Sequence, residues 1–214
     1  MPKKPWKAMK QLRKGVAGLL LAAGSSTRMQ RPKQLLPVGG ETLLGRSLKE
    51  ALNSDLDTVV LVLGHKAKEI RRELGPLLSH PKVKIIENRY YRKGISSSIM
   101  AGLSEIEGSH DHVMILLADL PHIDSNLINL LLQKYLDSHL PIGAIKVKNR
   151  RSHPVIFSRE LYPELYELRG DVGARALFER YDHKVCLVES ESPYDDRDID
   201  TPEDYAQFQR SLKK

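Results

Sequence analysis

The chain has 214 residues, 41% of them hydrophobic and 29% charged, a balance that supports a sizeable core in one α/β domain and excludes disordered, collagenous and coiled-coil chains. Its single cysteine, Cys186, excludes an internal disulfide framework and a cysteine-rich zinc site and points to a reducing, cytoplasmic setting, while no apolar run approaches the roughly 20 residues that span a bilayer. The net charge of +7 is concentrated in Lys3, Lys4, Lys7, Lys10, Arg13 and Lys14, so residues 1–14 read as a solvated basic tail and 15–214 as a near-neutral body that is not a nucleic-acid surface.

After the tail, Val16 to Ala23 is apolar, as in a signal peptide. The run is short, Gly18 interrupts it and dense polar chemistry follows, so it reads instead as a first strand over 16–22, buried on both faces. Leu43, Leu44, Leu48, Ala51 and Leu52 have helical spacing within 42–53. Thr58 to Leu63 is a second strand, Ala67 to Leu74 a charged helix and Val83 to Ile86 a third strand. A helix is expected over 97–107, then a strand at Val113 to Leu117 and a leucine-rich helix capped by Asp124. Strands follow near Ile142 to Val147 and, briefly, at Pro154 to Phe157. A helix covers Arg159 to Leu168, Asp171 caps another through Glu179, Lys184 to Glu189 is a strand, and a last helix begins near Pro202. Continuous apolar strands separated by helices imply a mostly parallel, Rossmann-like sheet covered on both faces, with ligands beyond the carboxyl ends of its strands.

The first strand leads into Ala23-Gly24-Ser25-Ser26-Thr27-Arg28-Met29, with Lys33 close behind. Small residues admit close backbone approach, Gly24 can take positive φ, and successive N–H groups can then face phosphate oxygens. Arg28 and Lys33 add positive charge. The segment lacks both the P-loop pattern and Gly-x-Gly-x-x-Gly, which argues against a P-loop kinase and a nicotinamide-dinucleotide fold.

These residues resemble the MobA/MocA-like nucleotidyltransferases, most narrowly the molybdenum cofactor cytidylyltransferases. The likeness runs from Leu21-Ala22-Ala23-Gly24 and Lys33-Gln34-Leu35-Leu36-Pro37 through Asn88, Gly94 and Ser98 to Ala118-Asp119-Leu120-Pro121. It continues at His153-Pro154-Val155 and Arg169-Gly170-Asp171-Val172-Gly173-Ala174-Arg175, and closes with Asp198 to Asp204. Gln30 and Ser152 stand where relatives commonly have glycine. The resemblance implies a nucleotide-diphospho-sugar transferase type of fold and Mg²⁺-dependent transfer (Mn²⁺ as the alternative ion) of CMP from CTP to a molybdopterin-type phosphate. It also implies a molybdoenzyme or its chaperone as recipient. Implied nucleotide contacts are Leu21, Ala22, Ala23, Gly24, Ser25, Ser26, Arg28, Lys33, Asn88, Gly94 and Ser98. Two readings stand for Asn88 and Ser98: contacts to ribose or base, or, for Ser98, a helix cap. His153 and Arg175 are the candidates on the acceptor side.

Asp119 follows an apolar strand, where a carboxylate suits Mg²⁺. Asp198 and Asp200 are two apart, so extended backbone points both to one side. Thr201 can cap the last helix with Pro202 at its first position, which frees Asp200 for metal and ranks it ahead of Asp198. Arg28, Lys33 and Asp119 are the expected catalytic residues. Other phosphorylated acceptors, other triphosphates and a non-catalytic cofactor carrier remain as alternatives.

Overall fold

Every residue of β1 (Val16–Ala22) is buried. Ala17, Leu19 and Leu21 enter one apolar cluster; Val16, Leu20 and Ala22 enter another on the opposite face. That is the pattern of a central strand with helices on both sides. The structure, a computed structural model, describes residues 15–26, 29, 31–190 and 193–212. The basic tail, Arg28 and Gln30 lie outside the described residues.

A 3₁₀ turn at Lys33–Leu35 and a small hairpin, β2 (Pro37–Val38) and β3 (Glu41–Thr42), precede α1 (Leu43–Asn53). Thr42 starts that helix by accepting from the Gly45 N–H. Next come β4 (Thr58–Leu63), α2 (Ala67–Leu74), β5 (Val83–Glu87), α3 (Ile95–Leu103) and β6 (His112–Leu117). The second half comprises α4 (Ser125–Ser138), β7 (Ile142–Val147), β8 (Arg150–Ser158), α5 (Tyr162–Glu167), α6 (Arg175–Arg180), β9 (Val185–Glu189) and α7 (Pro202–Ser211).

The main sheet runs β5-β4-β1-β6-β8-β7-β9. β8 is antiparallel to β6 and β7, and the remaining pairs are parallel. Chain order moves outward from β1 through β4 to β5 and then returns to β1's other side as β6. The crevice beyond the carboxyl ends of β1 and β6 is therefore a topological switch point, where ligands bind in open α/β sheets. A third apolar cluster joins Leu36, Val38 and Leu43 to Ile199 and Phe208. It ties the last segment of the chain to the turn that carries Lys33.

Most expected elements are present, with four corrections. The helix expected over 97–107 spans Ile95–Leu103 instead; it starts early because the Ile95 N–H is capped from a distance by the Asp171 carboxylate at 3.1 Å, and it gives way to turns from Ser104. Asp171 accordingly does not cap the next helix, which starts at Arg175 after Ala174. The short stretch at Pro154 to Phe157 is the end of nine-residue β8; its polar first half pairs with β7 across an irregularity that skips His153 and Pro154. The helix expected from Arg159 is a 3₁₀ turn followed by α5. Asp124 does cap α4, accepting from Leu127 N–H at 2.8 Å.

Candidate active site

The loop after β1 is shaped through its carbonyl groups. The side chain of Gln34, only 2% exposed, donates through Nε2 to the carbonyls of Ala22 and Gly24, both at 3.0 Å. The His65 N–H donates to the Ala23 carbonyl at 3.1 Å. Three successive carbonyls are thus turned to donors behind the loop. Among the described residues no hydrogen bond uses the Gly24 or Ser25 N–H, so these amides are available to an anion. Among the described residues of the loop, Ser26 is left-handed, φ 51°. Gly24 does not adopt positive φ, which corrects the expectation from sequence: the carbonyl clamps bend the chain without it. Ser26 Oγ accepts from the Lys33 N–H at 3.1 Å and donates to Gln34 Oε1 at 3.4 Å.

Lys33, Asp119 and Asp200 come together. The Lys33 ammonium is 2.5 Å from Asp119 Oδ2 and 2.7 Å from Asp200 Oδ1. Burial works against that charge, but Asp119 and then Asp200 outweigh it and hold the Lys33 pKa above its ordinary value. Asp119 lies just past β6. The Ile199 N–H donates to its carbonyl at 3.0 Å, and the Ile199 side chain is buried in the third apolar cluster. With Ile199 facing inward, its neighbours Asp198 and Asp200 face the opposite side. Carboxylate oxygens of Asp119, Asp198 and Asp200 all lie within 4.8 Å of one another. Burial, then Asp200 and Asp119, raise the Asp198 pKa. The three carboxylates form an all-oxygen set of the kind that fits a hard divalent cation such as Mg²⁺, and the Lys33 ammonium occupies two of them in this structure. Thr201 and Asp204 form a reciprocal capping box at α7, and Asp204 Oδ2 also accepts from the Asp200 N–H at 3.2 Å. The cap thereby fixes the backbone of Asp200 without using its carboxylate.

Two cavities meet here. The smaller, about 340 Å³, is lined by Leu21, Ala22, Ala23, Gly24, Ser25, Lys33, Gly94, Ser98 and Asp119. Tyr91 and Arg92, not singled out from sequence, complete one wall. They sit in a loop whose only sequence signal is an aromatic-basic cluster. The larger, about 1260 Å³, holds His153, Arg175 and Asp198. Both cavities include Ile95, Leu117 and Asp171 in their walls. Burial pushes the His153 pKa down, opposed by the Ile115 carbonyl and by Asp119, which favours the neutral imidazole at neutral pH.

Asn88 is buried behind the smaller cavity, where Nδ2 donates to Ser97 Oγ at 2.9 Å and Ser98 Oγ at 3.0 Å. Its Oδ1 accepts from the Tyr90 N–H at 2.8 Å. All of these bonds brace the loop. Ser98 does not cap α3, as one sequence reading held; Gly94 occupies the cap position, leaving Ser98 in the first turn. Gly94 has φ 95°, and a Cβ there would strike the Gly170 carbonyl. Gln34 and Asp171 are the positioning residues that sequence reasoning missed. Both fall inside the quoted motifs, but their partners are remote backbone groups.

The MobA-like NTP transferase domain matches residues 18–185. The chain belongs to this family. It is 31% identical to the purine catabolism protein PucB of Bacillus subtilis strain 168, over 91% of this chain and 96% of that one. It is 29% identical to nicotine blue oxidoreductase of Paenarthrobacter nicotinovorans, over 88% and 93%. Against the molybdenum cofactor cytidylyltransferase of Escherichia coli K12 the identity is 25%, over 87% and 92%. Among solved structures, the manganese complex of Rv0371c from Mycobacterium tuberculosis H37Rv superposes with a TM-score of 0.74 at 28% identity, over 92% of this chain and 99% of that one. The family and fold establish a nucleotidyltransferase with a mostly parallel sheet. Among the described residues, no helix is long and apolar enough to cross a membrane.

Proposed function

We propose that the protein transfers CMP from CTP to the phosphate of a molybdopterin-type acceptor, releases pyrophosphate, and requires Mg²⁺, with Mn²⁺ as a substitute. The observation that supports this reading best is the contiguity of the two cavities through Ile95, Leu117 and Asp171, with acids at their junction. One cavity suits the triphosphate and the other the acceptor.

The Gly24 and Ser25 amides hold the β- and γ-phosphates. Lys33, and Arg28 from outside the described residues, neutralise the transferring and leaving phosphates. Leu21, Ala22, Ala23, Gly94 and Ser98 enclose the nucleoside, and Asn88 braces that wall. His153 and Arg175 receive the acceptor. An acceptor phosphate oxygen bonds to the α-phosphorus as the bond from that phosphorus to the bridging oxygen breaks, and pyrophosphate leaves with the electron pair. The attacking group is already an anion, so no side-chain nucleophile is needed; alignment and charge neutralisation do the catalysis. Asp119, Asp200 and Asp198 would hold the ion, which would offset charge on the α-phosphate. Loss of one charge-stabilising group lowers the rate by about 10²–10³. The recipient of the product is a molybdoenzyme or its chaperone.

Ala23 supports cytosine as the base. It lies in the wall of the smaller cavity; the family resemblance, in which alanine at this position goes with pyrimidine nucleotides and glycine with guanine, carries part of the reading, and the methyl group would narrow the space for a purine. Ala23→Gly should raise GTP use relative to CTP; an unchanged ratio would locate the discrimination elsewhere. A second reading keeps the transfer but changes the acceptor to a sugar or alditol phosphate, which the large cleft also admits. The deciding experiment supplies CTP, GTP, UTP or ATP with Mg²⁺ and molybdopterin, and follows pyrophosphate. Release with CTP and molybdopterin is expected. Release only with another acceptor favours the second reading, and bound cofactor without release from any triphosphate favours a carrier.

A further inference from the structure

We propose that Lys33 is an internal cation that keeps the acid cluster closed to divalent metal until a triphosphate draws its ammonium away. This rests on the nucleotidyl-transfer reading for the identity of the anion. The ammonium bonds Asp119 Oδ2 and Asp200 Oδ1, the two acids best placed for the ion. Carboxylate oxygens confined within 4.8 Å of one another cannot hold an ammonium and a divalent cation together without strong like-charge repulsion.

Lys33 is also anchored for such a switch. Its backbone N–H is fixed to Ser26 Oγ in the phosphate-facing loop, and its side chain lines the nucleotide cavity. A four-carbon stem lets the ammonium turn from the acids to a phosphate while Cα stays in place. The triphosphate therefore does two things at once: it removes the competing charge and supplies its own oxygens. Metal and nucleotide must then assist each other's binding by the same factor, and metal alone binds weakly.

The test is a titration of the whole 214-residue chain with Mn²⁺, followed by electron paramagnetic resonance of the free ion, with and without CTP, and read against CTP alone so that Mn²⁺ held by the nucleotide in solution is subtracted. Wild type should take up little Mn²⁺ without CTP and much more with it. Lys33→Met should bind Mn²⁺ without nucleotide about tenfold or more tightly than wild type, because a like charge within a few ångströms is gone, and CTP should add less to its binding. Lys33→Arg, which keeps the charge, should still take up little Mn²⁺ without CTP. Equal Mn²⁺ affinity of wild type and Lys33→Met without nucleotide would overturn the proposal. So would equal Mn²⁺ affinity of wild type with and without CTP, a comparison that needs no variant to fold; Lys33→Gln serves if Lys33→Met does not. Tighter Mn²⁺ binding by Lys33→Met without nucleotide, together with no pyrophosphate release from wild type, would refute the transfer reading and uphold the role of Lys33. Release with no effect of Lys33→Met on metal binding would do the reverse.

Discussion

Replacing Gln34 with leucine keeps roughly the volume of a buried side chain and deletes its chemistry. Nε2 supplies two hydrogen bonds, to the carbonyls of Ala22 and Gly24. A buried carbonyl left without a donor costs about 1–3 kcal/mol. Ala22 is 3% exposed and should bear the fuller penalty; Gly24 is exposed, so water can replace part of what its carbonyl loses. The total is about 2–4 kcal/mol, read as a shift in urea midpoint at unchanged slope. The same deletion frees the loop whose Gly24 and Ser25 line the smaller cavity, the proposed triphosphate site, so CTP affinity measured by calorimetry should fall by about tenfold or more, the equivalent of ~1.4 kcal/mol. Unaltered stability together with unaltered CTP affinity would refute the idea that carbonyl clamping shapes this loop.

Gly94→Ala places a methyl group at φ 95° against the Gly170 carbonyl. It should cost about 1–3 kcal/mol from the backbone conformation alone, since φ 95° with ψ 176° is a region open essentially only to glycine, seen in thermal melts, and weaken binding of both proposed substrates because the two loops touch at the junction of the cavities. Asp171→Ala should remove the cap on Ile95 and destabilise by ~1 kcal/mol, whereas Asp171→Asn should restore most of it, since asparagine caps as well as aspartate. Failure of Asn to rescue would assign Asp171 a charge-based role instead. Ile199→Ala should cost about 2–5 kcal/mol as a buried large-to-small change and also loosen the Mn²⁺ site in nucleotide-bound protein, because Ile199 sets the direction of Asp198 and Asp200; intact metal affinity would break that link.

The strands were readable because each central one is a short apolar run with few competing interpretations. Thr58–Leu63 and Ile142–Val147 have the bounds the pattern suggests. Elements set by distant partners were not readable. Asp171 caps α3 from 76 residues away, so local spacing instead assigned it to the helix that follows it. β8 is polar where it borders the cleft, which hid half its length. In the site, the motif residues Lys33, Asp119 and Asp200 converge, but nothing local could show that Lys33 would pair with both acids. The loop's geometry was likewise ascribed to the freedom of Gly24, although two clamps, Gln34 and the His65 N–H, impose it and leave the positive φ to Ser26.

The most direct measurement is an anomalous-scattering map from crystals grown with CTP and Mn²⁺. The account predicts a manganese peak among the Asp119, Asp198 and Asp200 carboxylates, with the Lys33 ammonium moved onto the triphosphate. Manganese bound away from these acids, or CTP seated with its α-phosphate remote from them, would contradict it.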